Sequence, residues 1–187
     1  MDRRLVLAAL LVGACAAARA DERGFGLDAL RGLAAFQVVV DPLSADAMRD
    51  GLRAPALQAD VELRLRRAGL RVVTERGTPV PDAAVLRVHL DDTRRDLDAG
   101  SFHEFRLTME VLQNVQLTRD PAVQALRPSW NRTLDGTHLT ATLVPAVRDA
   151  LRQEMEHLFD DYLAVNGGAV ARAAAATAVR RHRPEGD

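Results

Sequence analysis

The stretch 105–117, FRLTMEVLQNVQL, has apolar residues at every second position, a series broken only at Gln113. Its apolar positions fall at one parity, and the other parity from Glu104 to Thr118 is almost wholly polar. Successive side chains of a strand point to opposite faces, so this pattern indicates a half-buried antiparallel strand. One face of the strand is expected on a core and the other in water. The apolar positions are Phe105, Leu107, Met109, Val111, Val115 and Leu117.

A strand, a helix and two further strands are predicted ahead of this stretch. Residues 35–40, AFQVVV, form a short apolar run typical of a central strand buried on both faces. The region of Asp46, Asp50 and Gly51 reads as a loop. A helix is predicted from Pro55 to Gly69, because a first-turn proline and a terminal glycine enclose apolar residues at helical spacing. Strands at 70–74 and 84–90 follow, separated by a loop at 77–82 that holds two prolines.

The part of the chain after the long strand is predicted to hold one weak strand and one strong helix. Asp120-Pro121 closes the long strand, and a fifth strand around Trp130 is expected to be turned by Asp135-Gly136. The last helix is predicted to end at 166–168, NGG, ahead of an Ala- and Arg-rich tail. Its apolar stripe at helical spacing consists of Leu143, Val147, Leu151, Met155, Leu158, Phe159 and Tyr162.

The element order is therefore βαββββα, which indicates the α+β class. The predicted architecture is a two-layer sandwich, with a mixed or antiparallel sheet of about five strands and two helices on one face. The predicted organisation is a linker at 21–33, a single domain at 34–166 and a disordered tail at 167–187.

The amino terminus has the composition of a targeting segment. Arg3 and Arg4 precede an apolar run and the small residues that end at Ala20, which together predict a signal peptide at 1–20 cleaved after Ala20. The expected location is periplasmic or secreted, with no transmembrane segment in the mature chain. An alternative is lipidation at Cys15, which follows Val12-Gly13-Ala14 in a lipoprotein-like pattern.

Charge argues against nucleic acid as a partner. The chain carries a formal net charge of −1, all 25 basic residues are Arg, and no Lys occurs. Residues 1–20 hold three Arg and one Asp, and residues 166–187 hold four Arg and two acidic residues, which leaves a net charge of −5 on residues 21–165. A domain of that charge without a basic stripe does not suit a phosphate backbone.

Three groups of polar residues are candidates for a metal-binding or catalytic site. The acidic and His residues between Asp91 and Glu104 suggest a divalent cation site, or else a solvated hairpin tip. Glu154, His157 and Asp161 lie at helical spacing and suggest two metal ligands, or else a surface salt-bridge face on the polar side of the last helix. His89 and His138 would each suit a general base. No cofactor, metal ligand or catalytic residue is assigned, because neither a nucleophile signature nor a phosphate-binding loop is present.

The long strand and the single tryptophan offer candidate binding residues. Trp130 is expected to pack in the core, with an exposed anchor beside Arg127 and Arg132 as the alternative. The polar face of the long strand offers Arg106 and Glu110, together with Thr108 between them, as a candidate binding surface.

Two segments carry a resemblance to known proteins. Residues 57–70, LQADVELRLRRAGL, resemble the helix–strand step of many secreted bacterial proteins, and residues 158–166, LFDDYLAVN, resemble their common ending. With the long strand, the resemblance covers residues 35–166. The element order is similar to that of envelope domains of the TolB amino-terminal type and of the outer-membrane lipoprotein activators of penicillin-binding proteins. Those are adaptor or assembly domains, so the resemblance implies binding rather than catalysis and transfers no functional residue.

The sequence thus predicts a non-enzymatic periplasmic or envelope protein that binds another envelope protein. A small-molecule or metal-binding module that uses the Asp91 to Glu104 region is the alternative, and a hydrolase is a third interpretation.

Overall fold

The computed structural model describes residues 26–74, 83–98 and 100–181. The predicted signal peptide, the first part of the predicted linker, the predicted loop at 77–82 and the last six residues of the predicted tail lie outside the described residues.

A five-stranded mixed sheet forms one layer of the domain. Its spatial order is β2-β1-β3-β4-β5, with β1 parallel to both β2 and β3 and the remaining pairs antiparallel. The strands are β1 Ala35–Val40, β2 Arg71–Val73, β3 Ala84–Leu97, β4 Gly100–Leu117 and β5 Asp120–Leu139. The predicted α+β class and five-stranded mixed sheet are confirmed.

The helices form the other layer. They are α1 Ala45–Arg49, α2 Ala54–Arg67 and α3 Leu143–Arg181, with short 3-10 helices at Leu27–Leu30 and Thr140–Thr142. One continuous core joins the apolar faces of α2 and α3 to one face of the sheet. The predicted apolar parity of β4 is confirmed at Phe105, Leu107, Met109 and Val111, which are buried on the helix side.

Helix α1 occupies a segment that the sequence predicts to be a loop, so that prediction is wrong. The Ser44 hydroxyl accepts a hydrogen bond from the Ala47 amide at 2.9 Å and caps the first turn. Ala47 is buried in the core. The helix is only five residues long, and the positive φ of Gly51 follows directly. A helix of barely more than one turn leaves little periodicity to detect in the sequence.

The carboxyl-terminal helix also differs from the prediction. Helix α3 continues through Asn166, Gly167 and Gly168 to Arg181, so the predicted helix end is wrong. Asn166 is buried, and its amide group donates to the carbonyl of Leu30 at 2.9 Å and of Tyr162 at 3.0 Å. Because the Asn166 side chain serves tertiary contacts, it does not cap the helix.

Residues 27–33 belong to the domain and not to a linker. Leu30 is fully buried in the core, and the Gly32 amide donates to Asn166 Oδ1 at 2.8 Å. The Tyr162 hydroxyl donates to the Leu33 carbonyl at 2.7 Å. These contacts join the segment before β1 to α3.

Strand β5 continues straight through Asp135-Gly136, where the sequence predicts a turn. Gly136 lies opposite Phe105 of β4. A Cβ added at Gly136 would lie 2.7 Å from the Phe105 ring, so glycine here makes room for an aromatic ring and does not reverse the chain.

Candidate functional site

The helices cover one face of the sheet, and the opposite face of β3, β4 and β5, which we call the outer face, carries no helix among the described residues. The strand register places Asp91 opposite Arg106 and Arg106 opposite Asp135. Most side chains of this face are polar and accessible to solvent. They are Arg87, His89, Asp91, Thr93, Glu104, Arg106, Thr108, Glu110, Asn131, Thr133, Asp135 and Thr137.

The two candidate residues on the polar side of β4 both lie on the outer face, in ion pairs. Arg106 donates from Nε to Asp135 Oδ1 at 2.7 Å and from Nη2 to Asp135 Oδ2 at 3.2 Å. These hydrogen bonds hold the pKa of Asp135 below its ordinary value. Glu110 Oε2 lies 3.6 Å from Arg87 Nη1. Their exposure suits binding, but a binding role for Arg106 and Glu110 stays a prediction.

A second ion-pair group joins β1 to β3 near Glu110. Arg87 Nη2 donates to Asp41 Oδ2 at 2.7 Å, and His89 Nδ1 lies 3.0 Å from the same oxygen. Burial alone would raise the pKa of Asp41, but the hydrogen bonds and charges of Arg87 and His89 outweigh burial and lower the pKa. His89 on the outer face therefore contacts the carboxylate of Asp41, which follows β1.

An open concavity of about 480 Å³ lies on the outer face. It is lined by polar side chains of all three long strands, together with Phe105 and Gly136. Three carboxylates and one guanidinium line it: Asp91, Glu104, Asp135 and Arg106. The concavity is open to solvent and polar, which suits contact with a protein surface better than enclosure of an apolar small molecule.

A buried polar cluster lies on the helix side of the sheet, at the end where β3 turns into β4. His103 is fully buried; its Nδ1 lies 3.1 Å from Asp92 Oδ2 and its Nε2 lies 2.9 Å from Asp50 Oδ2. Each ring nitrogen of His103 therefore lies within hydrogen-bond distance of a carboxylate oxygen. Arg94 Nη1 donates to both oxygens of Asp50, at 2.9 and 2.7 Å.

Asp50, just after α1, is the residue through which this cluster connects the helix layer to the sheet. Burial would by itself raise the pKa of Asp50, but the hydrogen bonds and charges of His103 and Arg94 outweigh that effect and hold the pKa below its ordinary value. Arg94 also donates to Asp96 Oδ1 at 3.0 Å and to the Ser101 hydroxyl at 3.1 Å. The cluster therefore ties α1 to the β3–β4 hairpin.

This geometry corrects the prediction of a solvated hairpin tip. Strand alternation sends Asp91 and Glu104 to the outer face and sends Asp92 and His103 into the buried cluster. The residues of the sequence cluster thus lie on opposite faces of the sheet. The described residues contain no group of three or more His, Cys, Asp or Glu side chains placed to hold a metal ion. Asp92 Oδ1 is buried and has no hydrogen-bond partner among the described residues.

The acidic group on α3 is not the surface salt-bridge face that the sequence predicts. Glu154 is buried and its Oε2 accepts from Arg132 Nε of β5 at 2.9 Å. Asp161 Oδ2 accepts from Trp130 Nε1 at 2.9 Å. Both carboxylates therefore join α3 to β5, because each faces a donor from the sheet. Trp130 is 6% exposed and packs in the core, which leaves little of its side chain for a partner to contact.

The remaining histidine candidates do not converge. His89 lies on the outer face, and His138 lies on the helix side opposite His103, where its ring stacks on Phe105 at a centroid distance of 5.9 Å. A nucleophile and its base must lie within hydrogen-bond reach of each other, and neither histidine has a hydroxyl or thiol partner among the described residues.

The buried cluster was missed at the level of sequence, although a signal for it exists. Asp92, Arg94 and His103 continue the inward parity of Leu90 and Phe105 along β3 and β4. Polar residues at inward positions of a long strand indicate a buried network that needs partners. The partner Asp50 could not be identified in this way, because its position depends on the path of α1.

Comparison with models of known protein families and with curated protein sequences gives no match. Among the helices of the described residues, none is both long and apolar enough to cross a membrane, and this includes the 39-residue α3.

Proposed function

We propose that this chain is a non-enzymatic envelope protein, exported to the periplasm, that binds another protein through the outer face of its sheet. The observation that carries the proposal is the uncovered polar surface of three long strands, which offers charged and hydroxyl side chains on a rigid support. In the described part of the chain, the helices pack on the other face. Export rests on the basic and apolar pattern of residues 1–20.

The chemistry of the polar clusters also favours binding over catalysis. The histidine with the most elaborate hydrogen bonding, His103, has no exposed surface through which a substrate could reach it. The accessible groups of the outer face include ion pairs such as Arg106–Asp135, and paired charges at an interface set orientation and specificity.

In-cell cross-linking of the tagged protein, followed by mass spectrometry, tests this function. The variant Arg106→Glu/Glu110→Arg reverses two charges on the outer face. The matched control is Arg152→Glu/Glu156→Arg, which reverses an exposed ion pair on α3. We expect one envelope protein to be enriched with the native chain and the control, and to be lost with the outer-face variant. An equal yield from both variants would contradict the proposal.

A further inference from the structure

Apolar side chains are exposed at the end of the outer face where β3 turns into β4. Leu97 and Leu139 are each 63% exposed. Phe102 pairs with Arg95 on one side and with Leu139 on the other, so strand alternation puts all three apolar residues on the outer face. We call Leu97, Phe102 and Leu139 the distal patch. Leu97 and Leu139 are largely in water and Phe102 beside Leu139 is half-buried, and exposed apolar patches mark binding sites.

The concavity lies directly beside the distal patch and carries excess negative charge. Arg106 is occupied by two hydrogen bonds to Asp135. Glu104 forms an ion pair with Arg95 at 3.6 Å, and Asp91 lies opposite Arg106 and interacts with its charge, so three carboxylates share two guanidinium groups. A surface with these charges therefore attracts positively charged groups.

We infer that the distal patch and the concavity together bind a protein segment that carries Arg or Lys beside a large apolar side chain. The inference rests on the proposed function and specifies the partner's chemistry. The apolar side chain of the partner segment packs on Leu97 and Leu139 and removes their exposed apolar surface from water. The cation reaches the carboxylates of Glu104 and Asp91, which lie two and four residue pairs further along the strands from Phe102.

Charge favours a basic segment over two other occupants of the patch. An anionic membrane surface attracts basic protein segments, and the carboxylates beside the distal patch oppose such contact. A second copy of the chain, packed face to face, would bring Asp91 and Glu104 close to their own counterparts, which repels.

Fluorescence polarisation with two labelled peptides, RWRLRWR and EWELEWE, tests the inference on the purified protein. We expect the basic peptide to bind at least about tenfold more tightly than the acidic one. The variant Leu97→Ser/Leu139→Ser should weaken binding of the basic peptide about tenfold, because an apolar anchor carries much of the affinity of a small interface. The variant Asp91→Asn/Glu104→Gln should weaken it about threefold at low salt and less at high salt.

The matched control is Val123→Ser/Leu126→Ser, which removes two exposed apolar side chains from the opposite end of the sheet. It should leave the affinity unchanged. The inference is overturned if this control weakens binding as much as the patch variant, or if the acidic peptide binds equally well. It is also overturned if the patch variant dissociates a native dimer in sedimentation, or abolishes binding to anionic phospholipid vesicles.

The two proposals fail in different ways. A cross-linked envelope protein that is lost with Arg106→Glu/Glu110→Arg but is kept with Leu97→Ser/Leu139→Ser would overturn only the inference about the distal patch. No enriched protein at all would remove the function on which the inference rests.

Discussion

Asp50 contacts two side chains at once, since its Oδ2 lies 2.9 Å from His103 Nε2 and 2.7 Å from Arg94 Nη1. The Asp50 side chain is 11% exposed, so water can replace few of the hydrogen bonds that it accepts. The variant Asp50→Asn should lower the free energy of unfolding by about 2–3 kcal/mol, because it leaves buried donors without a charged partner. Urea denaturation measures this loss. The control Asp96→Asn also removes an acceptor from Arg94 but alters an exposed carboxylate, so its loss should be much smaller.

The same residue makes stability depend on acid pH. The folded-state pKa of Asp50 lies below its ordinary value, so its contribution is present above the unfolded value of about 4 and is lost as pH falls through the folded pKa. The difference in unfolding free energy between the native chain and Asp50→Asn should therefore shrink as pH falls below about 4. A difference that grew in acid would refute this role.

Gly136 leaves too little room for a larger side chain, because it packs directly against Phe105. A Cβ there would lie 2.7 Å from the Phe105 ring, well inside van der Waals contact. Gly136→Ala should reduce the free energy of unfolding by about 1–3 kcal/mol, since the ring must move within a packed core. Gly167→Ala is the matched control, because a Cβ in that position of α3 meets nothing within 4 Å. That change should stabilise the protein by about 0.5–1 kcal/mol through helix propensity. If both variants destabilise equally, the close-packing argument fails.

At the scale of the elements, α3 holds the segment before β1 in place. The Asn166 side chain bonds to Leu30 and Gly32, and Tyr162 bonds to Leu33. Asn166→Ala should lower the free energy of unfolding by about 2 kcal/mol and speed hydrogen exchange at the Gly32 amide, since buried polar groups lose their partners. The control Leu163→Ala alters an exposed residue of the same helix and should leave the Gly32 exchange rate unchanged. Equal exchange rates at Gly32 in the two variants would count against this tether.

Strong periodicity explains which elements the sequence predicts. The alternation of β4 and the apolar stripe of α2, with Leu57, Val61 and Leu65 buried, follow directly from local pattern. The predicted end of α3 failed at Asn166, because a residue that favours caps in isolation is used here for a contact to Leu30, which lies 136 positions away in the chain. The predicted turn at Gly136 failed for a related reason, since only the register with Phe105 explains why glycine is required.

The candidate site could be predicted in part. The polar parity of β4 places Arg106 and Glu110 on one face from sequence alone. The pairing of Arg106 with Asp135, and the placement of Leu97 and Leu139 on either side of β4, depend on the register of three strands. Register is fixed by the hairpins and by side-chain packing, which the sequence of one strand does not contain.

For the whole molecule, the asymmetry of the two faces is the main feature. Helices and a buried polar cluster stabilise one side of the sheet, and the outer face is left as a rigid, charged surface with the distal patch at its end. Surfaces of this kind suit binding, since a rigid support loses little conformational entropy when a partner associates.

Site-specific photo-cross-linking in cells tests this account most directly. One chain carries benzoylphenylalanine in place of Thr133, an exposed outer-face residue of β5, and a second carries it in place of Asp149, an exposed residue of α3. We predict a defined cross-linked product of one partner protein from position 133 and none from position 149. Cross-links from position 149 with none from position 133 would place the binding surface on the helices and contradict the account.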